Sequence, residues 1–291
     1  MELDLDLRDA SAVIDVLEDA ADANLDDPRR AGSVVEPPNR GTLVVTGDLH
    51  DNLAHLGAAL RLADLDASPD HHLVLHEVIH GGRLIAGRDL SFGTLARIAA
   101  LKVRYPAQVV MMPGNHELAQ LLSRGIVKNG TYVVEAFDAG LDHLYGEDAD
   151  GVRRALSGLI RSMPLAIRCC DRSVFIAHSL PGPKQIDGFD ATVLDRVPTA
   201  DDYAAPHGPV YRLVWGRKHT HAVVEAMREA TGASAFVLGH QAVERGYTIE
   251  HERVLILNSD HDRGKALPLP LDQPLDGVMG LVERLVGLSG G

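Results

Sequence analysis

The chain has 291 residues with 45% hydrophobic content, which fits one large or two smaller domains around an ordinary core and excludes a disordered tail. Its 28 Lys and Arg stand against 41 Asp and Glu, and the net charge of −13 opposes a nonspecific grip on nucleic acid or an anionic membrane. Cys169 and Cys170 are adjacent and supply no disulfide framework, and no leader-like or membrane-length apolar run is present, so a soluble cytoplasmic protein is expected.

In chain order, Ala10 to Leu25 carries Val13, Ile14 and Leu17 on one face and acids on the other, which predicts a helix. Asp26 to Arg40, with Pro28, Gly32, Pro37 and Pro38, predicts a linker or surface arm. Residues 1–40 are thus expected to be an acidic accessory extension to a body spanning 41–270. That body opens with strands over Thr42–Thr46, His72–His76 and Val109–Met112, alternating with helices over Leu53–Leu65 and Thr94–Arg104. Glu135–Gly151 and Pro181–Pro209 are expected to be surface excursions.

Two later pairs of β-rich runs are expected to be antiparallel: Leu165–Cys169 with Val174–Ala177, and Tyr247–Glu250 with Val254–Leu257. Between them come a helix around His221–Ala230 and a strand at Phe236–Leu238. In the tail, 271–291, Leu281, Val282, Leu285 and Val286 have helical spacing and predict a docked helix. The fold class is therefore α/β, a sandwich of two mixed β-sheets flanked by helices.

Nearly every strand of the body ends in a polar residue of metal-ligand type. The endings are Gly47-Asp48-Leu49-His50, His76-Glu77, Gly114-Asn115-His116-Glu117, His178 and Gly239-His240. Taken singly, Asp48 or Asn115 is an ordinary turn or cap residue and a histidine at a strand end is usually just hydrogen-bonded. Five such endings in order are different, because layered α/β folds gather the carboxyl ends of strands on one edge. Asp48, His50, Glu77, Asn115, His178 and His240 would then supply the O and N donors for two metal ions that share a carboxylate.

With these motifs the chain resembles the calcineurin-like metallophosphoesterases, and within them the phosphoprotein (Ser/Thr) phosphatase branch. Gly47-Asp48-Leu49-His50 and Gly114-Asn115-His116-Glu117 match two signatures, and the stretch from Gly239 to Tyr247 resembles a third. Phe175 to His178 and Leu213-Val214-Trp215 follow in the expected order, and the likeness runs from about Gly41 to Leu267. The resemblance implies a first metal on Asp48 and His50, a second on Asn115, His178 and His240, and Glu77 as the bridge. It also implies attack on phosphorus by metal-activated water, with His116 as general acid to the leaving group. Mixed O and N donors suit Mn, Fe or Zn. The implied substrate is a phosphorylated protein or a small phosphoester.

One signature departs from the branch. Its Gly-Asp-x-x-Asp-Arg-Gly is here His76-Glu77-Val78-Ile79-His80-Gly81-Gly82, so the bridging carboxylate gains a methylene, the Asp that orients the catalytic histidine is His80, and the phosphate-binding Arg is Gly81. Arg83, Arg217 and Arg263 are candidate replacements for that lost cation. Two other readings stand beside the phosphatase. Loss of the Arg and the orienting Asp fits a noncatalytic module that binds phosphorylated partners. The letters His76-Glu77-x-x-His80 also spell a zinc-peptidase signature, which needs both histidines on one helix face.

Overall fold

The computed structural model describes residues 5–273, 275 and 277–289. The first half runs α1 (Ala10–Leu25), β1 (Arg30–Ala31), β2 (Val34–Val35), β3 (Thr42–Asp48), α2 (Leu53–Ala63), β4 (His71–His76), α3 (Phe92–Arg104), β5 (Val109–Met112), α4 (Asn115–Leu121), α5 (Val133–Tyr145) and α6 (Ala149–Ser162). The second half runs β6 (Ala166–Cys169), β7 (Val174–Ala177), α7 (Pro209–Trp215), α8 (His221–Thr231), β8 (Ala235–Leu238), β9 (Tyr247–Glu250), β10 (Val254–Leu257), β11 (Lys265–Pro270), α9 (Gly277–Val282) and β12 (Val286–Gly287). Two short hairpins, Leu84–Ile85 with Arg88–Asp89 and Val127–Lys128 with Thr131–Tyr132, follow β4 and α4.

The main strands form two mixed sheets, one ordered β1-β2-β6-β7-β8-β10-β9 and the other β12-β11-β3-β4-β5. Their strands read as continuous apolar runs because both faces are covered, and the strand period of two divides each run between two cores. In β7, Val174 and Ile176 meet the other sheet while Phe175 and Ala177 face the helix layer, and β8 and β10 repeat the pattern. In β4 the division is Val74 against Leu73 and Leu75. The result is four layers, helix, sheet, sheet and helix, as the sequence predicts.

Four expectations need correction. α1 is no accessory element: Val13, Leu17 and Ala20 are buried in the core shared with α3 and α6. The linker that follows it contains β1 and β2, and apolar Val34-Val35 pairs in parallel with Ala166-Ile167, extending the larger sheet. Glu135–Gly151 lies largely within α5 and the start of α6, whose apolar faces bury Phe137, Leu141 and Val152. Among the described residues of the tail only Gly277–Val282 is helical; β-branched Val286 pairs with Ala266, since the open edge of β11 has backbone groups to satisfy. Pro181–Pro209 remains an excursion, built from short 3-10 turns.

Candidate metal centre

Strands β3, β4 and β5 run parallel in one sheet and β7, β8 and β10 run parallel in the other, so their carboxyl ends open at one edge. There the two sheets touch through a bridge between Asp48 and Asn258. Asp48, His50, Glu77, Asn115, His116 and His240 all line one cavity at that edge, together with Lys128, Trp215, Arg217, Asn258 and Asp260. Two glycines make the close approach possible. A Cβ on Gly114 would lie 2.6 Å from the Glu77 carboxyl carbon, and one on Gly239 would lie 2.4 Å from Asp48 Oδ1.

The tightest convergence surrounds His178 Nε2, which lies 3.0 Å from Glu77 Oε2, 3.2 Å from Asn115 Oδ1 and 3.2 Å from His240 Nδ1. These four are the donors expected of the second metal with its bridging carboxylate. His50 groups instead with Glu77 and His116, their ligand atoms all within 4.8 Å of one another. The His50 Nδ1–H donates to the Ile79 carbonyl at 2.9 Å, which leaves the Nε2 lone pair as a free donor to a cation. Asp48 groups with His76 and His178. Its Oδ1 accepts the His240 backbone N–H at 3.0 Å and lies 3.6 Å from His178 Nδ1.

This donor set fits bound cations. Both ring nitrogens of His76, Nδ1 of His178 and Nε2 of His240 are buried without a hydrogen-bond partner, a costly arrangement in a cluster of neutral imidazoles and carboxyls. Burial first, and then the neighbouring Glu77, pushes Asp48 up to about 7; burial likewise pushes Glu77 up to about 7. Burial holds His50, His178 and His240 below the ordinary imidazole value. Desolvation thus disfavours the ionised carboxylates, which cations would favour.

The loops that carry the site after β3, β4 and β8 are held under strain. His50, Glu77, His80 and His240 have φ of 44°, 37°, 59° and 69°, left-handed values that cost non-glycine residues about 1–3 kcal/mol each. Glu117 offsets part of this. One of its carboxylate oxygens accepts Val78 N–H at 2.8 Å and Ile79 N–H at 3.1 Å, and the other accepts Gly114 N–H at 2.9 Å. Glu77 Oε1 accepts His116 N–H at 2.8 Å, which ties the two motifs together. The same backbone excludes the peptidase geometry: His76 ends a strand, and Glu77 and His80 are left-handed, so no helix carries the two histidines.

Of the three candidate phosphate-binding arginines, Arg217 lines the cavity and donates to the His240 carbonyl at 3.2 Å. Arg83 is exposed and faces Asp51 at 3.4 Å; Arg263 lines a neighbouring groove beside Asp260 and His261. His80 is fully buried against His116, with their Nδ1 atoms 3.0 Å apart. Sequence reading missed Lys128, which the hairpin after α4 brings to the cavity, and Asp260 and Asn258 beyond β10. A Gly130 turn between Val127-Lys128 and Thr131-Tyr132 was the available signal for that hairpin. His76 also belongs to the cluster, as a group with Asp48 and His178; the spacing that marked it, His76-Glu77-x-x-His80, pointed to a helix that this backbone does not form.

A two-sheet α/β sandwich that gathers O and N donors from the carboxyl ends of both sheets defines a metal-site hydrolase architecture. The family model described as calcineurin-like phosphoesterase matches residues 41–244, and the chain belongs to that family. The fold is similar to a protein serine/threonine phosphatase from Saccharomyces cerevisiae described as similar to human PP5, at 13% identity and a TM-score of 0.67, covering 96% of this chain and 88% of that one. It is also similar to a cold-active protein-tyrosine phosphatase of a psychrophilic Shewanella species, at 18% identity and a TM-score of 0.53, covering 86% of this chain and 80% of that one. Among the described residues no helix is long and apolar enough to cross a membrane.

Proposed function

We propose that this chain hydrolyses phosphomonoesters, with phosphoserine or phosphothreonine in proteins as the substrate class, at a site for two cations shared by Glu77. The observation that carries the reading is the meeting of Glu77, Asn115, His178 and His240 around one ring nitrogen, beside His116 and two cationic side chains. Asn115, His178 and His240 would hold one cation and Asp48 and His50 the other, with Mn, Fe and Zn all suited to the donors. When bound, such cations polarise the phosphoryl oxygens and lower the pKa of water. Lys128 and Arg217 face the phosphoryl charge, and His116 Nε2 donates a proton to the leaving oxygen.

Protein loaded with Mn²⁺ is expected to hydrolyse p-nitrophenyl phosphate and a phosphoserine peptide, and to stop after chelation. No turnover under any metal loading, with tight phosphopeptide binding, would favour the noncatalytic module.

The raised carboxyl groups give a second expected result. Asp48 and Glu77 rise from ordinary values of 3.8 and 4.5 to about 7, so in the metal-free protein the stability they contribute is present at low pH and lost as pH climbs through about 7. Cations bind the ionised forms, so their affinity changes in the opposite direction. The rise in Tm on adding Mn²⁺ or Zn²⁺ should therefore grow between about pH 5.5 and about pH 8, as read by scanning fluorimetry. An increment independent of pH would take these two carboxylates out of the site.

A further inference from the structure

The position that carries an orienting Asp in the resembled branch is occupied by His80, which has no negative charge to offer. His80 is nevertheless the inner member of a hydrogen-bonded chain. Its Nδ1 meets His116 Nδ1 at 3.0 Å, its Nε2 meets Gln120 Oε1 at 3.1 Å, and Gln120 Nε2 donates to Asp138 Oδ1 at 2.9 Å. Gln120 lies one helical turn beyond His116 on α4, and Asp138 lies on α5 beside Phe137, whose ring stands edge-on to His80 at 5.4 Å. The His80 backbone N–H donates to Ser91 Oγ at 3.0 Å, so the imidazole is fixed from several sides.

The donor inventory fixes the direction of every bond in this chain. Asp138, which also faces Arg153 at 3.4 Å, can only accept, so the Gln120 amide turns its NH₂ outward and its oxygen toward His80. That oxygen can only accept, so His80 carries its proton on Nε2. Burial lowers His80 to about 4, which keeps the ring neutral and leaves Nδ1 as an acceptor. His116 must then donate from Nδ1, and its remaining nitrogen, Nε2, lies 4.0 Å from Glu77 Oε1 on the side of the metal donors.

We infer that Gln120 and Asp138, acting through His80, are positioning residues that commit the His116 Nδ1 proton to His80 and leave Nε2 as the one nitrogen that exchanges protons with the substrate. The inference rests on the phosphomonoesterase reading. As the attacking water forms the new P–O bond, Nε2 takes the proton that the water sheds and passes it to the leaving oxygen, on which the electron pair of the breaking P–O bond stays. The orienting role of the absent carboxylate is thus performed by a relay of neutral groups that ends on Asp138 at the surface.

Gln120→Leu removes both amide bonds at similar volume. It should lower kcat about 10- to 100-fold for an alkyl phosphate, whose leaving group needs the proton, yet change p-nitrophenyl phosphate turnover by less than about threefold. KM and metal content should stay unchanged. The double variant Gln120→Glu with Asp138→Asn reverses the outer bond while keeping an acceptor on His80 Nε2, and should recover the alkyl phosphate rate. Equal losses on both esters, or none on either, would overturn the inference. Side-chain ¹H–¹⁵N correlation of the zinc-loaded protein gives a readout independent of activity: His80 should be protonated on Nε2 and His116 on Nδ1, and the opposite tautomers would overturn it. If the parent hydrolysed neither ester, the phosphomonoesterase reading would fail, while the tautomers would still decide the hydrogen-bonded chain.

Discussion

Replacing Glu77 with Ala should strip at least one cation from each chain and reduce phosphomonoester turnover by about 10³-fold or more, since bound cations contribute several kcal/mol of charge stabilisation. Glu77 belongs to two of the three donor groups, with His50 and His116 on one side and His178 and His240 on the other. Among the described residues no other side chain belongs to both groups. The fold should survive the change. Burial disfavours ionised Glu77, and its charge raises both Asp48 and Glu117, so deleting it relieves repulsion among three buried acids. The Tm of the metal-free variant should therefore match or exceed that of the parent near neutral pH. Glu77→Asp should keep two cations with altered activity, because the carboxylate is retained on an arm one methylene shorter. Gly114→Ala should resemble Glu77→Ala in part, as the new Cβ would displace the Glu77 carboxyl. Elemental analysis with parallel calorimetry decides the matter, and an Ala variant with undiminished metal content would remove Glu77 from the site.

How far the sequence revealed this arrangement depended on the range over which each signal acts. The strands with both faces buried were legible as short apolar runs, and observed ends such as Val109–Met112 and Val254–Leu257 coincide with those runs. Their polar endings pointed to one edge because parallel strands align their carboxyl ends, and all but His178 of the predicted donors line the cavity there. His178 lies directly beneath, against Glu77 and His240. Pairings decided by open sheet edges were not legible. Val34-Val35 and Val286 join sheets because β6 and β11 offer unpaired backbone, a property of the assembled fold. The same limit hid the approach of Asp48 to His76 and His178. His76 was marked in the sequence by its spacing to His80, but in the fold His80 lies against His116 and His76 lies beside Asp48 and His178. The role of His80 needed Gln120 and Asp138, whose proximity is created by the packing of α4 against α5 and the loop after β4.

Lys128→Ala should lower kcat/KM for phosphomonoesters about 10-fold or more, mainly through KM, the loss expected when a charge-assisted contact worth about 1.5–3 kcal/mol is removed. The branch-specific Arg is Gly81 here, whose backbone packs against Asp51 and the His50 carbonyl, so any cation for the phosphoryl group must come from elsewhere. Two candidates line the cavity, Lys128 and Arg217. Arg217 is largely exposed and already donates to the His240 carbonyl. Lys128 is half-buried, forms no hydrogen bond or ion pair among the described residues, and feels the acids Asp260, Glu77 and Asp48 at longer range. Burial lowers its pKa, a cost that an adjacent anion would offset. With cations bound at Glu77 and Asp48 the ammonium would lose its attraction to those two acids, and its charge would be shared between Asp260 and a phosphoryl oxygen. Lys128→Arg should recover much of the affinity, and Arg217→Ala should cost less than Lys128→Ala. Arg83→Ala and Arg263→Ala, outside the cavity, should leave both constants unchanged. A Lys128→Ala enzyme with the parent's KM, beside an Arg263→Ala enzyme with a raised one, would move phosphate recognition to the neighbouring groove at His261.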